Sequence, residues 1–133
     1  QYCYLVCNYN KCSYLRVFVN KEEILDHLIK TSQKYEKNTV YEIGSNSDLL
    51  LENEVTEDLK ENLEYFFKNS NKGILTFPTK FSNIKAILQI NYIERLIPRV
   101  SLNPDNIITR YELRTSNLQE RINAINELCE SRI

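Results

Sequence analysis

Three cysteines fall within ten residues at the start of the chain, Cys3, Cys7 and Cys12, and a fourth, Cys129, stands near the end. A secreted disulfide scaffold spreads its cysteines along the chain, so this clustering points to metal ligation or thiol chemistry in a reducing compartment. The spacing Cys3-x3-Cys7-x4-Cys12 offers three thiolates for a zinc ion but no evident fourth ligand, because the only histidine, His27, is remote. His27 lies beside the apolar stripe of an expected helix and reads as a surface or boundary residue. Cys12 reads as a loop or packing residue, and Cys129 as part of a helix core. Hydroxyls, one carboxylate and one lysine that could serve a site lie further along: Ser47 and Asp48, Lys80, and Ser101. Taken singly, these are a turn residue, a cap for the segment that follows, a solvated lysine and a strand hydroxyl.

The elements that would carry these residues follow from periodicity. Tyr14-Leu-Arg-Val-Phe-Val19 is strand-like. Asn20 and Glu23 stand at reciprocal capping positions ahead of a helix over 21–35. Thr39–Ile43 is a second strand and ends in the polar turn Gly44–Asp48. Leu59, Leu63, Phe66 and Phe67 mark a helix, with Tyr65, Phe66 and Phe67 read as core and boundary. Gly73–Phe77 is a third strand closed by Pro78, and Ser82 caps a short helix with Ile84, Ile87 and Leu88 on its apolar face. A fourth strand near Ile97–Leu102 runs into Asn103-Pro104, an N-cap followed by proline. Ser116-Asn-Leu-Gln119 reads as a capping box, and Leu118, Ile122, Ile125 and Cys129 as the last helix stripe.

Strands and helices alternate at intervals near 30 residues, and parallel neighbours need such crossovers. A parallel α/β sheet of about four βα units is expected, open on at least one side, with ligands gathered after the carboxyl ends of the strands. Ser47, Lys80 and Ser101 all follow strand ends.

Composition sets limits. The chain has 133 residues, 42% of them hydrophobic, and a formal net charge of −1 from 17 Lys+Arg and 18 Asp+Glu. Near neutrality argues against a surface given over to nucleic acid. Two glycines, Gly44 and Gly73, cannot build the glycine-rich phosphate turns of Rossmann dehydrogenases or P-loop NTPases. No apolar run reaches the length of a membrane span, and no signal peptide is visible, which predicts a cytoplasmic protein without a membrane partner. The chain holds no methionine and begins at Gln1, so a processed chain or a piece of a longer one is expected.

Gln1-Tyr2-Cys3-Tyr4-Leu5 followed by Leu15-Arg-Val-Phe-Val-Asn20 resembles the spore photoproduct lyase family of the radical S-adenosylmethionine superfamily, in which a C-x3-C-x2-C motif runs into C-Y-L and then R-V-x-V-N. The similarity continues through Tyr41–Asp48, Thr76-Phe-Pro-Thr-Lys80 and Val100-Ser-Leu-Asn103 to Thr115-Ser116. It implies a partial TIM-like (β/α) barrel of the radical S-adenosylmethionine type, truncated at both ends, so that residues 1–133 form part of one core domain. It implies a 4Fe-4S cluster with Cys3 as the third cysteine ligand, and S-adenosylmethionine chelated at the open iron. Tyr2 and Tyr4 match tyrosines lining the hydrogen-transfer site, and Ser47, Lys80 and Ser101 match positions that contact S-adenosylmethionine. The implied reaction is reversal of the UV-induced thymine adduct in DNA through a 5′-deoxyadenosyl radical, in the spore core, with a flavodoxin- or ferredoxin-like reductant.

One position departs from the family. Many members carry, in the turn after the second strand, a cysteine that returns the hydrogen atom; here it is Ser45. An O–H bond is too strong to replace S–H in that step. Cys7 is the expected substitute, relaying through Tyr4 or Tyr2. A radical paralogue with another substrate, or a non-catalytic metal-binding α/β domain, are the competing expectations. The isolated 133-residue piece is expected to be inactive.

Overall fold

A computed structural model describes residues 17–131. Its order is α1 (Lys21–Gln33), β1 (Val40–Glu42), α2 (Leu49–Thr56), α3 (Leu59–Asn69), β2 (Ile74–Thr79), α4 (Lys85–Leu88), β3 (Leu96–Val100), α5 (Asp105–Tyr111) and α6 (Leu118–Glu130). The three strands make one parallel sheet in the order β1-β2-β3, with Val40 paired to Ile74 and Leu75 to Leu96. The expected α/β class and parallel pairing are present.

Alternation along the strands separates two faces. Leu75, Phe77 and Leu96 are buried with Leu50, Leu63 and Phe66 from the helices. The opposite face carries Val40, Glu42, Ile97 and Arg99, all exposed. On that face Arg99 forms an ion pair with Glu42, reaching from β3 to β1 across the central strand. Among the described residues, helices therefore cover one face of the sheet and leave the other open.

Several local expectations are corrected. Val17–Val19 is irregular and exposed, not strand, and the rest of the expected first strand lies outside the described residues. Asn20 holds the N-cap position of α1, but its side chain donates to Glu23 Oε2 at 3.2 Å and caps no backbone group. Helix α2 was not expected; Asp48 caps it by accepting the Leu50 N–H at 3.2 Å.

Pro78 lies inside β2 and does not close it. The Thr76 carbonyl accepts from Ile43 and the Thr79 carbonyl from Ser101, so alternate residues face opposite neighbours. Pro78 thus faces the β1 side beyond Glu42, where no partner strand needs its missing N–H. Ser82 does not cap α4, whose N-cap is Ile84; its hydroxyl bonds Ser116 Oγ at 2.9 Å instead. With Ser116 engaged there, the capping box of α6 moves on by one residue to Asn117 and Glu120. Pro104, not Asn103, is the N-cap of α5.

The buried row of α6 is Arg121, Ala124 and Leu128, one position round from the expected stripe. Cys129 is consequently exposed, not core. Arg95 closes the amino end of the sheet: its guanidinium donates to the Ser70 carbonyl at 2.6 Å and the Gly73 carbonyl at 2.9 Å, and lies 5.0 Å from the Phe67 ring centroid. Burial holds it below the ordinary arginine pKa.

Candidate functional site at the carboxyl edge of the sheet

Because β1, β2 and β3 are parallel, the residues following them meet at one edge. Gly44 turns the chain there with a φ of +68°, and the Ser47 N–H returns to the Gly44 carbonyl at 3.2 Å. Asp48 then joins this turn to the end of β2. Its Oδ1 accepts the Thr79 hydroxyl at 2.8 Å and its Oδ2 accepts the Lys80 N–H at 2.8 Å. Thr79 passes the contact on, accepting the Phe81 N–H at 3.0 Å.

A second knot ties the end of β3. The Ser101 N–H donates to the Thr79 carbonyl at 2.8 Å, extending the ladder past Val100, and the Ser101 carbonyl accepts from Arg121 at 2.8 Å. Arg121 is wholly buried and pairs with Glu112 at 2.7 Å. The Ser116 N–H donates to the Lys80 carbonyl at 3.2 Å.

All three predicted donor residues are thus held by their backbones. Their side chains are not: among the described residues the Lys80 ammonium and the hydroxyls of Ser47 and Ser101 have no hydrogen-bond partner or ion pair. Ser47 is exposed, while Lys80 and Ser101 are half-buried. Strand alternation carried one residue past β2 and β3 assigns Lys80 and Ser101 to the open face that also bears Glu42 and Arg99. One ammonium and two hydroxyls on a rigid edge suit a carboxylate-bearing ligand, since charge-assisted bonds to a carboxylate are the strong ones and the edge is already ordered.

Tyr2, Cys3, Tyr4, Cys7 and Cys12 lie outside the described residues. His27 is exposed on α1, as expected. Ser45 is exposed in the turn after β1. Among the described residues no group of three His, Cys, Asp or Glu side chains could hold a metal ion, and no helix is long and apolar enough to cross a membrane. Sequence reasoning missed Glu112 and Arg121. Arg121 had a signal: it stands at helical spacing from Ala124 and Leu128, an apolar row it interrupts.

The fold and this edge define a parallel α/β domain with a backbone-tied rim of polar side chains at the carboxyl ends of its strands. Residues 1–132 match the family described as spore photoproduct lyase. The spore photoproduct lyase of Bacillus subtilis strain 168 is 35% identical over 92% of this chain and 36% of the relative. That of Clostridium acetobutylicum is 31% identical over 98% of this chain and 39% of the relative. A solved spore photoproduct lyase variant with bound AdoMet and dinucleoside spore photoproduct superposes with a TM-score of 0.87 at 26% identity, over 98% of this chain and 38% of that one. A second structure, complexed with the dinucleoside alone, gives the same TM-score, identity and coverage. The chain belongs to the spore photoproduct lyase family, and it spans between a third and two fifths of the length of these relatives.

Proposed function

We propose that the protein carrying this chain is a radical S-adenosylmethionine lyase that repairs the thymine–thymine adduct 5-thyminyl-5,6-dihydrothymine in DNA, and that residues 1–133 form part of its core barrel. The observation that carries the reading is a set of donors unengaged among the described residues, Lys80, Ser47 and Ser101, on a backbone-locked edge, in a chain whose family relative binds AdoMet and the dinucleoside lesion. The strand order β1-β2-β3 has no reversal, and a barrel wall advances in that way, whereas a doubly wound sheet switches direction.

In this reading the Lys80 ammonium binds the methionyl carboxylate of S-adenosylmethionine, and the Ser47 and Ser101 hydroxyls orient it. Cys3 is one ligand of a 4Fe-4S cluster, which together with S-adenosylmethionine supplies a 5′-deoxyadenosyl radical when reduced by a flavodoxin- or ferredoxin-like partner. Tyr2 and Tyr4 line the hydrogen-transfer path, and Cys7 returns the hydrogen atom in place of the cysteine for which Ser45 stands. The cellular setting is the cytoplasm of the spore core. Ser45 also supports a second reading, a paralogue with the same radical chemistry and another substrate, because a hydroxyl cannot return the hydrogen.

Anaerobic reconstitution of the full-length protein, followed by product analysis on dinucleoside spore photoproduct, tests this. Conversion of the lesion to two intact thymidines with 5′-deoxyadenosine formation is expected, and Lys80→Met should weaken S-adenosylmethionine binding at least about tenfold through loss of the charge-assisted bond. S-adenosylmethionine cleavage without repair would favour the paralogue; no binding of S-adenosylmethionine by the wild type would remove both readings.

A further inference from the structure

Arg121 heads the fully buried side chains by volume, and it is charged. Its Nε donates to the Ser116 carbonyl at 2.9 Å, its Nη1 to the Ser101 carbonyl at 2.8 Å and its Nη2 to Thr115 Oγ1 at 2.8 Å. The same Nη2 pairs with Glu112 Oε2 at 2.7 Å, and Glu112 Oε1 accepts from Asn103 Nδ2 at 2.9 Å. Through one guanidinium, α6 grips the residue after β3 directly. It grips the residue after β2 in one further step, because Ser116 donates its N–H to the Lys80 carbonyl.

Fold stability is a weak reason for such a group. Burying an ion pair costs desolvation that the pairing only roughly offsets, and well-packed apolar replacements are often as stable or more so. Position is the better reason: two of the atoms Arg121 holds, directly or through Ser116, are the carbonyls of Ser101 and Lys80, whose side chains have no partner among the described residues.

We infer that Arg121 is a positioning residue for the ligand edge, fixing the backbones at Lys80 and Ser101 so that both donors meet one S-adenosylmethionine carboxylate. The inference rests on the reading of that edge given under Proposed function.

The test uses the full-length protein and the double variant Glu112→Leu/Arg121→Met, which removes both charges together and so leaves no unpaired buried ion. Unfolding by urea, amide hydrogen exchange and equilibrium S-adenosylmethionine binding are measured side by side, with Arg121→Lys as a second variant that keeps the charge without the planar fork. The expected result is an unfolding midpoint close to wild type, faster exchange at the Ser101 and Ser116 amides, and affinity reduced about tenfold or more, as when groups supporting a ligand's contacts are removed. Arg121→Lys should fall between the two. Affinity within about twofold of wild type in the double variant overturns the inference, whether or not the amides loosen. So does weakened affinity with both amides still protected, which would mean the effect does not pass through these backbones. If the wild type binds no S-adenosylmethionine, the reading of the edge has failed, and the inference, which places Arg121 in service of that ligand, falls with it; exchange at the two amides then reports only whether the anchoring itself is real.

Discussion

Asp48 and Lys80 are joined by a 2.8 Å hydrogen bond from the Lys80 N–H to Asp48 Oδ2, so the turn after β1 and the residue after β2 form one piece. The other carboxylate oxygen holds the Thr79 hydroxyl and the Leu50 N–H. Removing the carboxylate in Asp48→Ala leaves three donors to find new acceptors and costs about 2 kcal/mol or more, read from urea unfolding. Asp48→Asn should cost less, because it keeps one acceptor while turning an amide N–H toward the Lys80 N–H. Equal losses for the two variants would mean that the Oδ2 link to Lys80, and not the cap on α2, dominates.

Gly44 permits that turn. A Cβ there would lie 2.5 Å from Leu49 Cγ, and the backbone is in the left-handed region at φ +68°. Gly44→Ala should therefore destabilise by about 1–3 kcal/mol in thermal or urea unfolding. A stability unchanged from wild type would show that the turn can relax away from Leu49.

Tyr65 gives a pH prediction. Its hydroxyl donates to Asp26 Oδ1 at 2.9 Å, linking α3 to α1, and this bond to the carboxylate, reinforced by its charge, raises the phenol above its ordinary value of 10.0. A raised folded pKa means that the contribution is fully present below about 10 and fades as pH rises through the folded value. Tyrosinate absorbance of wild type minus Tyr65→Phe should show this late titration, and Asp26→Asn should return it toward 10.0. A Tyr65 titration at the ordinary value in the wild type would contradict the bond.

Phe66 anchors the core. It is fully buried, meets Phe67 edge-on at 5.5 Å between ring centroids, and lies under the Arg95 guanidinium at 5.8 Å. Phe66→Ala should cost about 3–5 kcal/mol in equilibrium unfolding. A loss under about 1 kcal/mol would indicate that the neighbouring helices collapse into the space.

Much of this was legible from the sequence. Alternation and helical spacing gave the parallel α/β order and put Ser47, Lys80 and Ser101 after strand ends, because those patterns record which faces are buried. What was hidden depended on partners distant in sequence. The capping box shifted from Ser116 to Asn117 because Ser116 is claimed by Ser82, 34 residues away. Helix α2 was missed because Leu49, Leu50 and Leu51 are consecutive and show no period; only Leu50 is buried. The face of α6 was misjudged because Leu118, Ile122, Ile125 and Cys129 make an apolar stripe of their own, while the burial of Arg121 depends on Glu112 and three oxygen acceptors outside that pattern. Pro78 looked like a strand end because its neighbour's length could not be read.

The neighbour-to-neighbour strand order bears on how the chain acquires its structure during synthesis. Each strand pairs with the one made just before it: Val40 meets Ile74 and Leu75 meets Leu96. Among the described residues, those joining at the sheet are therefore about one βα unit apart, and none of these three strands waits for a distant one of them to be translated. The polypeptide can add one strand at a time as it leaves the ribosome, with Arg121, in the first turn of α6, locking this edge only after Ser101 and Ser116 are in place.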